Sequence, residues 1–497
     1  MNAPAKTGHP KALYVLFMAE MWERFCYYGM RALLTLYLIK SLMMEDSAAF
    51  AIYGAYTALV YAAPVLGGKL ADSLLGYKNA VILGGILMAI GEFMILGGTE
   101  SWLYLGMGTI IVGNGYFKAN ISSIVGRLYD DDDPRKDSGF TIFYIGINIG
   151  ALLATTVCAE VGIKYGYHYG FALAGIGMLL GILFFILGGK EINEHSQPPN
   201  PERLYAKDFG PFNRFHITIF GSLLIIPILY FLIMYNQVVG ILLAVVAVYV
   251  IFTLLSTAFS GDNVLRDRII VLIILMFFNI VFWACFEQAG TSLTLFAERN
   301  IDRDIFGWEM GSATTQFFNP FFILIFGSIF SVMWVKLSQM KKNPSIPAKF
   351  GLGIMQLGLG YLVVLVGNMF VSPEYLLPLW TIAFLYLLHT TGELFLSPIG
   401  LSMVTKLAPK TMTGTVMGAW FLSFAGSNYL AGILAQATGS GEEHGATQKM
   451  IEEAMSPANT LATYVDVYGN IGFITVGIGL LLVIISPMLN KLMHGVK

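Results

Sequence analysis

Long apolar stretches alternate with short polar segments along the whole chain. Each stretch has on the order of 20 residues, the length that an α-helix needs to cross the hydrocarbon core of a bilayer. Fourteen such stretches can be counted, at about 13–39, 50–71, 79–98, 102–127, 138–160, 168–189, 214–235, 238–257, 268–297, 311–336, 349–371, 374–404, 412–436 and 467–490. The pattern predicts an all-α polytopic membrane protein with fourteen transmembrane helices.

Two groups of six predicted spans are separated by a segment of different character. Residues 1–189 hold the first six spans and residues 268–497 hold the last six. Residues 190–267 begin with a polar, proline-containing linker and continue with two extra spans. We therefore predict an N-terminal six-helix bundle, a cytoplasmic linker with two additional transmembrane helices, and a C-terminal six-helix bundle. This organisation resembles the major facilitator fold, in which substrate binds at the midplane between two halves that open alternately.

Composition and charge support a membrane protein and give its orientation. Of 497 residues, 56% are hydrophobic and only 12% are charged, which excludes an ordinary soluble domain. The mean hydropathy is +0.69. Lys and Arg gather in the loops on one side, for example at Lys69, Lys78, Lys341 and Lys342, and cytoplasmic loops are the ones that retain such residues. We expect an integral protein of a bacterial inner membrane with both termini in the cytoplasm.

The first span carries four charged side chains, Glu20, Glu23, Arg24 and Arg31. A charge at the centre of a membrane helix costs roughly 2.5 to 3.5 kcal/mol on insertion scales, so such a side chain faces a partner or a watered cavity. Glu20, Glu23 and Arg24 stand at i, i+3 and i+4, which places them on one helix face. The polar face predicts a water-filled path through the membrane.

The first span also carries a recognisable motif, Glu20-Met-Trp-Glu23-Arg24-Phe25-Cys26-Tyr27-Tyr28-Gly29. It resembles the ExxERFxYYG signature of the proton-dependent oligopeptide transporter family, also called the peptide transporter family. Five further matches follow in the family's order: Gly115-Tyr-Phe-Lys118, Phe143-Tyr144-Ile-Gly-Ile-Asn148-Ile-Gly150, Phe286-Glu287-Gln288, Phe318-Asn319-Pro320 and Gly392-Glu393. The resemblance covers essentially the whole chain, and the two extra spans are similar to the insertion of prokaryotic members.

The residues of these motifs suit a peptide as substrate. A short peptide is a zwitterion, and charge-assisted hydrogen bonds to its two ends are the strong ones available. The resemblance implies that Arg24 and Lys118 bind the peptide carboxylate and that Glu393 binds the amine. It implies five further substrate contacts, at Tyr28, Tyr61, Asn148, Asn319 and Trp420.

Several of these residues have a structural alternative. Arg31 and Glu287 form either a simple buried ion pair or a breakable pair that gates the path. Lys118 serves either as a peptide contact or as the counter-ion of Glu20 or Glu23. Which role each residue has is open at this point.

The neutral and isolated polar residues are more ambiguous still. Asn148 and Asn319 bind the peptide backbone, or they only cap and bridge helices. Glu92 and His389 also lie in apolar stretches, and the pattern gives them no role beyond local hydrogen bonding.

The sequence indicates which energy source drives transport. No G-x-x-x-x-G-K-[ST] phosphate loop is present, so an ion gradient is favoured over ATP hydrolysis. Carboxylates change their protonation when burial or a neighbouring cation changes. We assign proton coupling and gating to Glu20, Glu23, Arg24, Arg31, Lys118 and Glu287. The proton is the coupling ion, and neither a cofactor nor a metal ion is expected.

The sequence therefore predicts a proton-coupled symporter that imports di- and tripeptides by alternating access, with the peptide termini held between Arg24 or Lys118 and Glu393. The alternative is a proton-coupled carrier of the same fold for another small solute, such as nitrate or a modified amino acid. An enzyme is not expected. The predicted partners are peptides, protons and the lipid bilayer, with no nucleic acid and no obligatory protein partner.

Overall fold

The computed structural model describes residues 8–130, 133–208, 210–409, 412–439 and 454–496. Its α-helices, numbered in chain order, are α1 Lys11–Lys40, α2 Asp46–Leu70, α3 Tyr77–Ile95, α4 Glu100–Arg127, α5 Lys136–Leu153, α6 Ala159–Tyr165, α7 Tyr167–Leu187, α8 Gly189–Ser196, α9 Pro201–Tyr205, α10 Arg214–Met234, α11 Asn236–Ser260, α12 Asn263–Phe286, α13 Ser292–Asn300, α14 Phe318–Gln339, α15 Ile346–Gly367, α16 Trp380–Leu407, α17 Thr413–Gln436 and α18 Pro457–Leu492.

Shorter elements join or interrupt these helices. They are π-helical turns at Ala71–Leu75 and Ala154–Cys158, 3-10 turns at Glu287–Gly290, Ala313–Phe317 and Asn368–Phe370, and the strands β1 Ile301–Asp302, β2 Asp304–Ile305, β3 Trp308–Glu309 and β4 Leu377–Pro378. β1 pairs with β4 in parallel, and β2 pairs with β3 as an antiparallel hairpin.

Within the part of the chain that the structure describes, ten helical segments are long and apolar enough to cross a membrane. Each of them falls on a predicted span. The four remaining predicted spans coincide with α1, α4, α16 and α17, which have 24 to 30 residues. Helices of this length rise about 36 to 45 Å, which is enough to cross. The count of fourteen transmembrane helices stays a prediction.

Several helices begin where a side chain satisfies the free backbone N–H groups of the first turn. The Thr99 hydroxyl accepts from the N–H of Trp102 at 3.4 Å and starts α4. The Asp262 carboxylate accepts from Leu265 N–H at 2.7 Å and starts α12. The start of α1 is capped from far along the chain, because Glu191 of α8 accepts from the N–H of Ala12 at 2.9 Å.

Contacts group the chain into two compact units, and the first consists of Met1–Arg31 and Ala62–Met234. Its α3 and α4 approach closely because glycines face each other. A Cβ at Gly84 would lie 2.5 Å from the Gly113 carbonyl oxygen, and a Cβ at Gly91 would lie 2.7 Å from that of Gly106. Small residues at helix interfaces allow backbones to pack directly in membrane proteins.

The second unit consists of Ala32–Tyr61 and Tyr235–Lys497. Its helices α15 and α18 also approach closely because glycines face each other. A Cβ at Gly351 would lie 2.8 Å from the Gly479 carbonyl oxygen, and the same distance separates a Cβ at Gly358 from Gly472. Each unit draws on separate parts of the chain, and the predicted division into 1–189, 190–267 and 268–497 stays a prediction.

The structure differs from the expected single span over 268–297. The helix ends at Phe286, makes a 3-10 turn over Glu287–Gly290 and resumes as α13. Gly290 lies against the Tyr53 side chain with no room for a Cβ. The Gly290 carbonyl, which is freed from the α-helical pattern, accepts from the Thr35 hydroxyl at 2.6 Å. A polar group from α1 therefore stabilises the interruption, which sequence periodicity does not reveal.

Candidate substrate-binding site

In the first unit, three charged residues of α1 form one buried cluster. Arg24 Nε lies 3.2 Å from a Glu20 oxygen and also donates to the Glu23 carboxylate. Arg24 and Glu20 are each 3% exposed and Glu23 is fully buried. The helical spacing that predicted a common face therefore brings a cation between two carboxylates. Within the described residues, Arg24 Nη2 has no hydrogen-bond partner.

Helix α4 completes this cluster from a second side. The Asn114 amide donates to Glu23 Oε1 at 3.2 Å, and the charge of Lys118 acts on Glu20. Asn114 is a residue that sequence reasoning missed. The available signal was its position one turn before Lys118, on the same helix face. Both roles considered for Lys118 remain compatible with this placement.

The other predicted residues of the first unit lie on α1 and α5. The Arg31 guanidinium lies 5.6 Å from the centre of the Tyr28 ring, within the range of a cation–π contact. Asn148 is buried, and its amide donates to the carbonyl oxygen of Tyr144 one turn earlier at 2.9 Å. That bond lies within one helix and does not involve the carbonyl oxygen of the Asn148 side chain.

In the second unit, an acidic group and two polar neighbours lie together. Asn319 of α14 donates to Glu393 Oε2 at 3.0 Å and to the Thr390 hydroxyl at 3.1 Å. Glu393 is 8% exposed. Glu287, at 2% exposed, is close enough for its charge to act on Glu393. Two buried carboxyl groups therefore lie near each other in the second unit.

An aromatic group, which we call the Phe424 cluster and define as Tyr61, Trp283, Trp420 and Phe424, lies in the same unit. Tyr61 stacks on Phe424 with ring centres 6.2 Å apart. Trp283 lies 5.3 Å from Phe424, and Trp420 lies 6.2 Å from it. Sequence reasoning found Tyr61 and Trp420 but missed Phe424, which contacts both of them, and Trp283, which contacts Phe424. The signals were helical spacing, since Phe424 follows Trp420 by four residues and Trp283 precedes Glu287 by four.

Two isolated polar residues, Glu92 and His389, have local contacts. Glu92 is fully buried and accepts from the Cys26 thiol at 3.6 Å. The His389 ring lies 4.8 Å from that of Tyr361. These contacts bring neither residue into the clusters described above.

The predicted site residues thus form two sets. Arg24, Glu20, Glu23, Lys118, Tyr28, Arg31 and Asn148 belong to the first unit, and Tyr61, Glu287, Asn319, Glu393 and Trp420 belong to the second. The predicted pair of Arg31 and Glu287 would join the two units, and it stays a prediction. Within each unit, ionisable side chains are buried in helices of membrane-spanning length, which is typical of carriers that move a polar solute.

Comparisons with known proteins give the family. The family model PTR2, described as the POT family, matches residues 78–451. Dipeptide and tripeptide permease B of Xenorhabdus bovienii is 33% identical over 501 residues, which cover 99% of each chain. A crystal structure of the peptide transporter POT in complex with sulfate has a TM-score of 0.82 and 35% identity, covering 99% of this chain and 98% of that one.

A second solved structure is similar over the same length. It is a POT family transporter in complex with 5-aminolevulinic acid, with a TM-score of 0.78, 31% identity and 97% of each chain covered. The fold and the buried charges therefore define an integral membrane transporter with the major facilitator fold, and not an enzyme. The chain belongs to the POT family of peptide transporters.

Proposed function

We propose that the protein is a proton-coupled symporter that imports di- and tripeptides by alternating access. The observation that carries this proposal is the buried Arg24, whose Nη2 has no hydrogen-bond partner within the described residues while Nε faces Glu20 and Glu23. A guanidinium presents several N–H donors in a fixed plane and suits a carboxylate. Arg24 therefore has a free donor for the carboxylate end of a peptide.

Competition at Arg24 provides a route to proton coupling. Three carboxylates around two cations, Arg24 and Lys118, still carry excess negative charge, and a like charge nearby disfavours the ionised form. Arrival of a peptide carboxylate therefore favours protonation of Glu20 or Glu23. A proton on one of these residues releases Arg24 to bind substrate, so substrate and proton stabilise each other's binding.

Glu393 supplies the matching group for the peptide amine. Asn319 holds one carboxylate oxygen of Glu393 at 3.0 Å, which fixes the direction in which the carboxylate points. An ammonium donates three hydrogen bonds and suits an ionised acceptor. The proposal places the substrate carboxylate at Arg24 and Lys118, and the substrate amine at Glu393. Arg31 and Glu287 would act as the breakable pair of the gate.

A second candidate, a carrier of a modified amino acid, is favoured by the relative solved with 5-aminolevulinic acid. That molecule also has an amine and a carboxylate, so the same two ends could be recognised. Nitrate would leave Glu393 without a cation to bind. Competition by the three ligands therefore separates the candidates.

The test is uptake of a labelled dipeptide into proteoliposomes that hold the purified protein. With the lumen alkaline, we expect accumulation above the external concentration, and a protonophore should abolish it. Unlabelled di- and tripeptides should compete, whereas nitrate should not. Uptake that is indifferent to the imposed pH gradient would contradict proton coupling, and competition by 5-aminolevulinic acid alone would favour the second candidate.

The location and orientation are part of the same proposal. The distribution of Lys and Arg supports both termini in the cytoplasm of a bacterial cell, with the protein in the inner membrane. Fusions of a cytoplasm-active and a periplasm-active reporter at residue 497 test this, because only the first should be active.

A further inference from the structure

Asn279 of α12 is buried, at 1% exposed, and its amide bridges to α17. Its Nδ2 donates to the Ser423 hydroxyl oxygen at 3.0 Å. Its Oδ1 accepts from the indole N–H of Trp283 at 3.1 Å. The Ser423 hydroxyl in turn donates to the carbonyl oxygen of Trp420 at 2.6 Å. Both ends of the Asn279 amide are therefore fixed, one by α17 and the other by Trp283.

These bonds restrict the Trp283 ring. An indole has a single polar donor, so the bond to Asn279 selects one side-chain rotamer of Trp283. In that rotamer the ring lies 5.3 Å from Phe424 and 5.1 Å from Phe286. Trp283 and Phe424 are both half-buried, so the ordered rings still expose part of their apolar surface.

We propose that Asn279 is a positioning residue that sets the preference for peptides with large apolar side chains, by fixing the Trp283 ring in the Phe424 cluster. This inference rests on the proposed peptide transport. An aromatic side chain gains most from a wall of rings that is already ordered, because no rotamer freedom is lost on binding. A peptide of alanines has little side-chain surface to place against that wall. Its affinity therefore depends on the charged groups at its ends.

The central variant is Asn279→Leu, which keeps a similar volume and removes both hydrogen bonds. In exchange assays with proteoliposomes, we expect it to raise the inhibition constants of Ala-Phe and Phe-Ala about fivefold, the factor that corresponds to one net hydrogen bond. The constant for Ala-Ala should change less than about twofold. The maximal exchange rate should stay the same, because the transport cycle itself is not altered.

Three further variants show whether Asn279 acts through Trp283. Ser423→Ala removes the anchor of the amide and should shift the same peptides by a smaller factor. Asn279→Gln keeps both polar groups and should retain part of the discrimination. In a Trp283→Phe background, which lacks the indole N–H, Asn279→Leu should cause no additional change.

Each outcome has a defined meaning. An equal shift for Ala-Ala and Ala-Phe, or a shift that persists in the Trp283→Phe background, would overturn the positioning role. If the size-exclusion profile shows that Asn279→Leu is not folded, the inhibition constants of Ala-Ala and Ala-Phe are compared in Ser423→Ala and Asn279→Gln instead. The wild-type protein is assayed first. If no dipeptide inhibits its exchange activity, the proposed function itself is overturned, and the variants are not compared.

Discussion

At the scale of single residues, the Glu393 carboxylate is the group best placed to distinguish a free amine. It is 8% exposed, and Asn319 holds one of its oxygens by a hydrogen bond of 3.0 Å. Glu393→Gln should weaken binding of a free dipeptide by about 2- to 30-fold, because charge-assisted hydrogen bonds contribute about 1.5 to 3 kcal/mol and neutral ones about 1. An N-acetylated dipeptide, which has no ammonium, should lose much less. Competition assays with the two ligands measure the difference, and equal losses would remove Glu393 from the amine site.

A variant of Glu23 tests the proposed proton coupling separately from substrate binding. Its carboxylate accepts from both Arg24 and Asn114, and Glu23→Gln keeps the shape of the side chain while removing its capacity to titrate. We expect gradient-driven accumulation of peptide to disappear and peptide exchange across the membrane to persist, since exchange requires no net proton movement. Counterflow and pH-driven uptake in the same proteoliposomes provide the two measurements. Accumulation at the wild-type level would assign the coupling to another residue.

Whether the sequence alone reveals a site residue depends on how rare that residue type is in apolar spans. Glu20, Glu23 and Arg24 stand out because charges are rare in apolar spans. Asn114 and Phe424 escape notice, since a neutral amide or an aromatic ring is common in helical membrane proteins and its role depends on a partner distant in sequence. The partner of Asn114 is 91 residues away. Only the folded structure shows that neighbour.

At the scale of elements, the contact between α2 and α4 depends on a glycine. A Cβ at Gly67 would overlap the Gly115 carbonyl group, whereas a Cβ at the neighbouring Gly68 would meet only the Ala119 Cβ, at 3.8 Å. Gly67→Ala should therefore force the helices apart at a cost of about 1 to 3 kcal/mol. Gly68→Ala is the matched control and should be close to neutral. Thermal unfolding in detergent measures both, and similar melting temperatures for the two variants would contradict the close approach.

A pH-dependent contact joins the end of α1 to α13. Burial raises the pKa of Glu298, but the hydrogen bond and charge of Lys40 and the charge of Arg303 outweigh it, so the pKa lies below its usual value of 4.5. A carboxyl group with a lowered pKa in the folded state stabilises the protein above its unfolded pKa, and this contribution is lost as the pH falls through the folded value. Wild-type protein should melt higher than Glu298→Gln at pH 7.

The difference in melting temperature between wild type and Glu298→Gln should only decrease as the pH falls. It should stay constant down to about pH 5 and shrink at lower pH, where Glu298 takes up a proton. In a Lys40→Met background, Glu298→Gln should lower the melting temperature by less at neutral pH, because Lys40 is one of the partners of Glu298. A difference that grows on acidification would contradict a lowered pKa.

Helices are predictable from the sequence because an apolar run of about 20 residues has few alternatives in a bilayer. Their interruptions are less predictable. Residues 287–290 read as a continuation of α12, yet they form a 3-10 turn that Thr35 stabilises by a hydrogen bond. The short strands β1 to β4 give no periodic signal, since each has only two residues.

At the scale of the whole molecule, motif order predicts the family and the fold, but chain order does not predict which segments pack together. Ala32–Tyr61 belongs to the same compact unit as Tyr235–Lys497, although some 170 residues separate them along the chain. Such long-range packing depends on specific side-chain pairs, and hydropathy carries no information about them.

The ion pair between Asp46 and Arg299 is the contact that tests this arrangement. Arg299 Nη1 and Nη2 lie 2.6 and 2.9 Å from the two Asp46 oxygens, and the side chains are 4% and 13% exposed for Asp46 and Arg299. Removing one partner of a buried pair leaves the other charge without compensation and costs about 3 to 5 kcal/mol. Asp46→Ala and Arg299→Ala should each lower the melting temperature and increase hydrogen exchange in residues 46–61.

The exposed pair between Arg303 and Glu309 provides the matched control, because Glu309 is 71% exposed and surface pairs contribute about 0 to 1 kcal/mol. Glu309→Ala should therefore leave both measurements nearly unchanged. The charge-swapped double variant Asp46→Arg with Arg299→Asp should recover part of the lost stability, since each new charge again faces an opposite one. If the double variant is as unstable as the sum of the single variants, the two side chains do not interact. Residues 32–61 would then be held in the second unit by their other contacts, such as the hydrogen bond of Thr35 to Gly290 and that of Lys40 to Glu298, and the exchange rates of residues 46–61 would not respond to the charge at position 299.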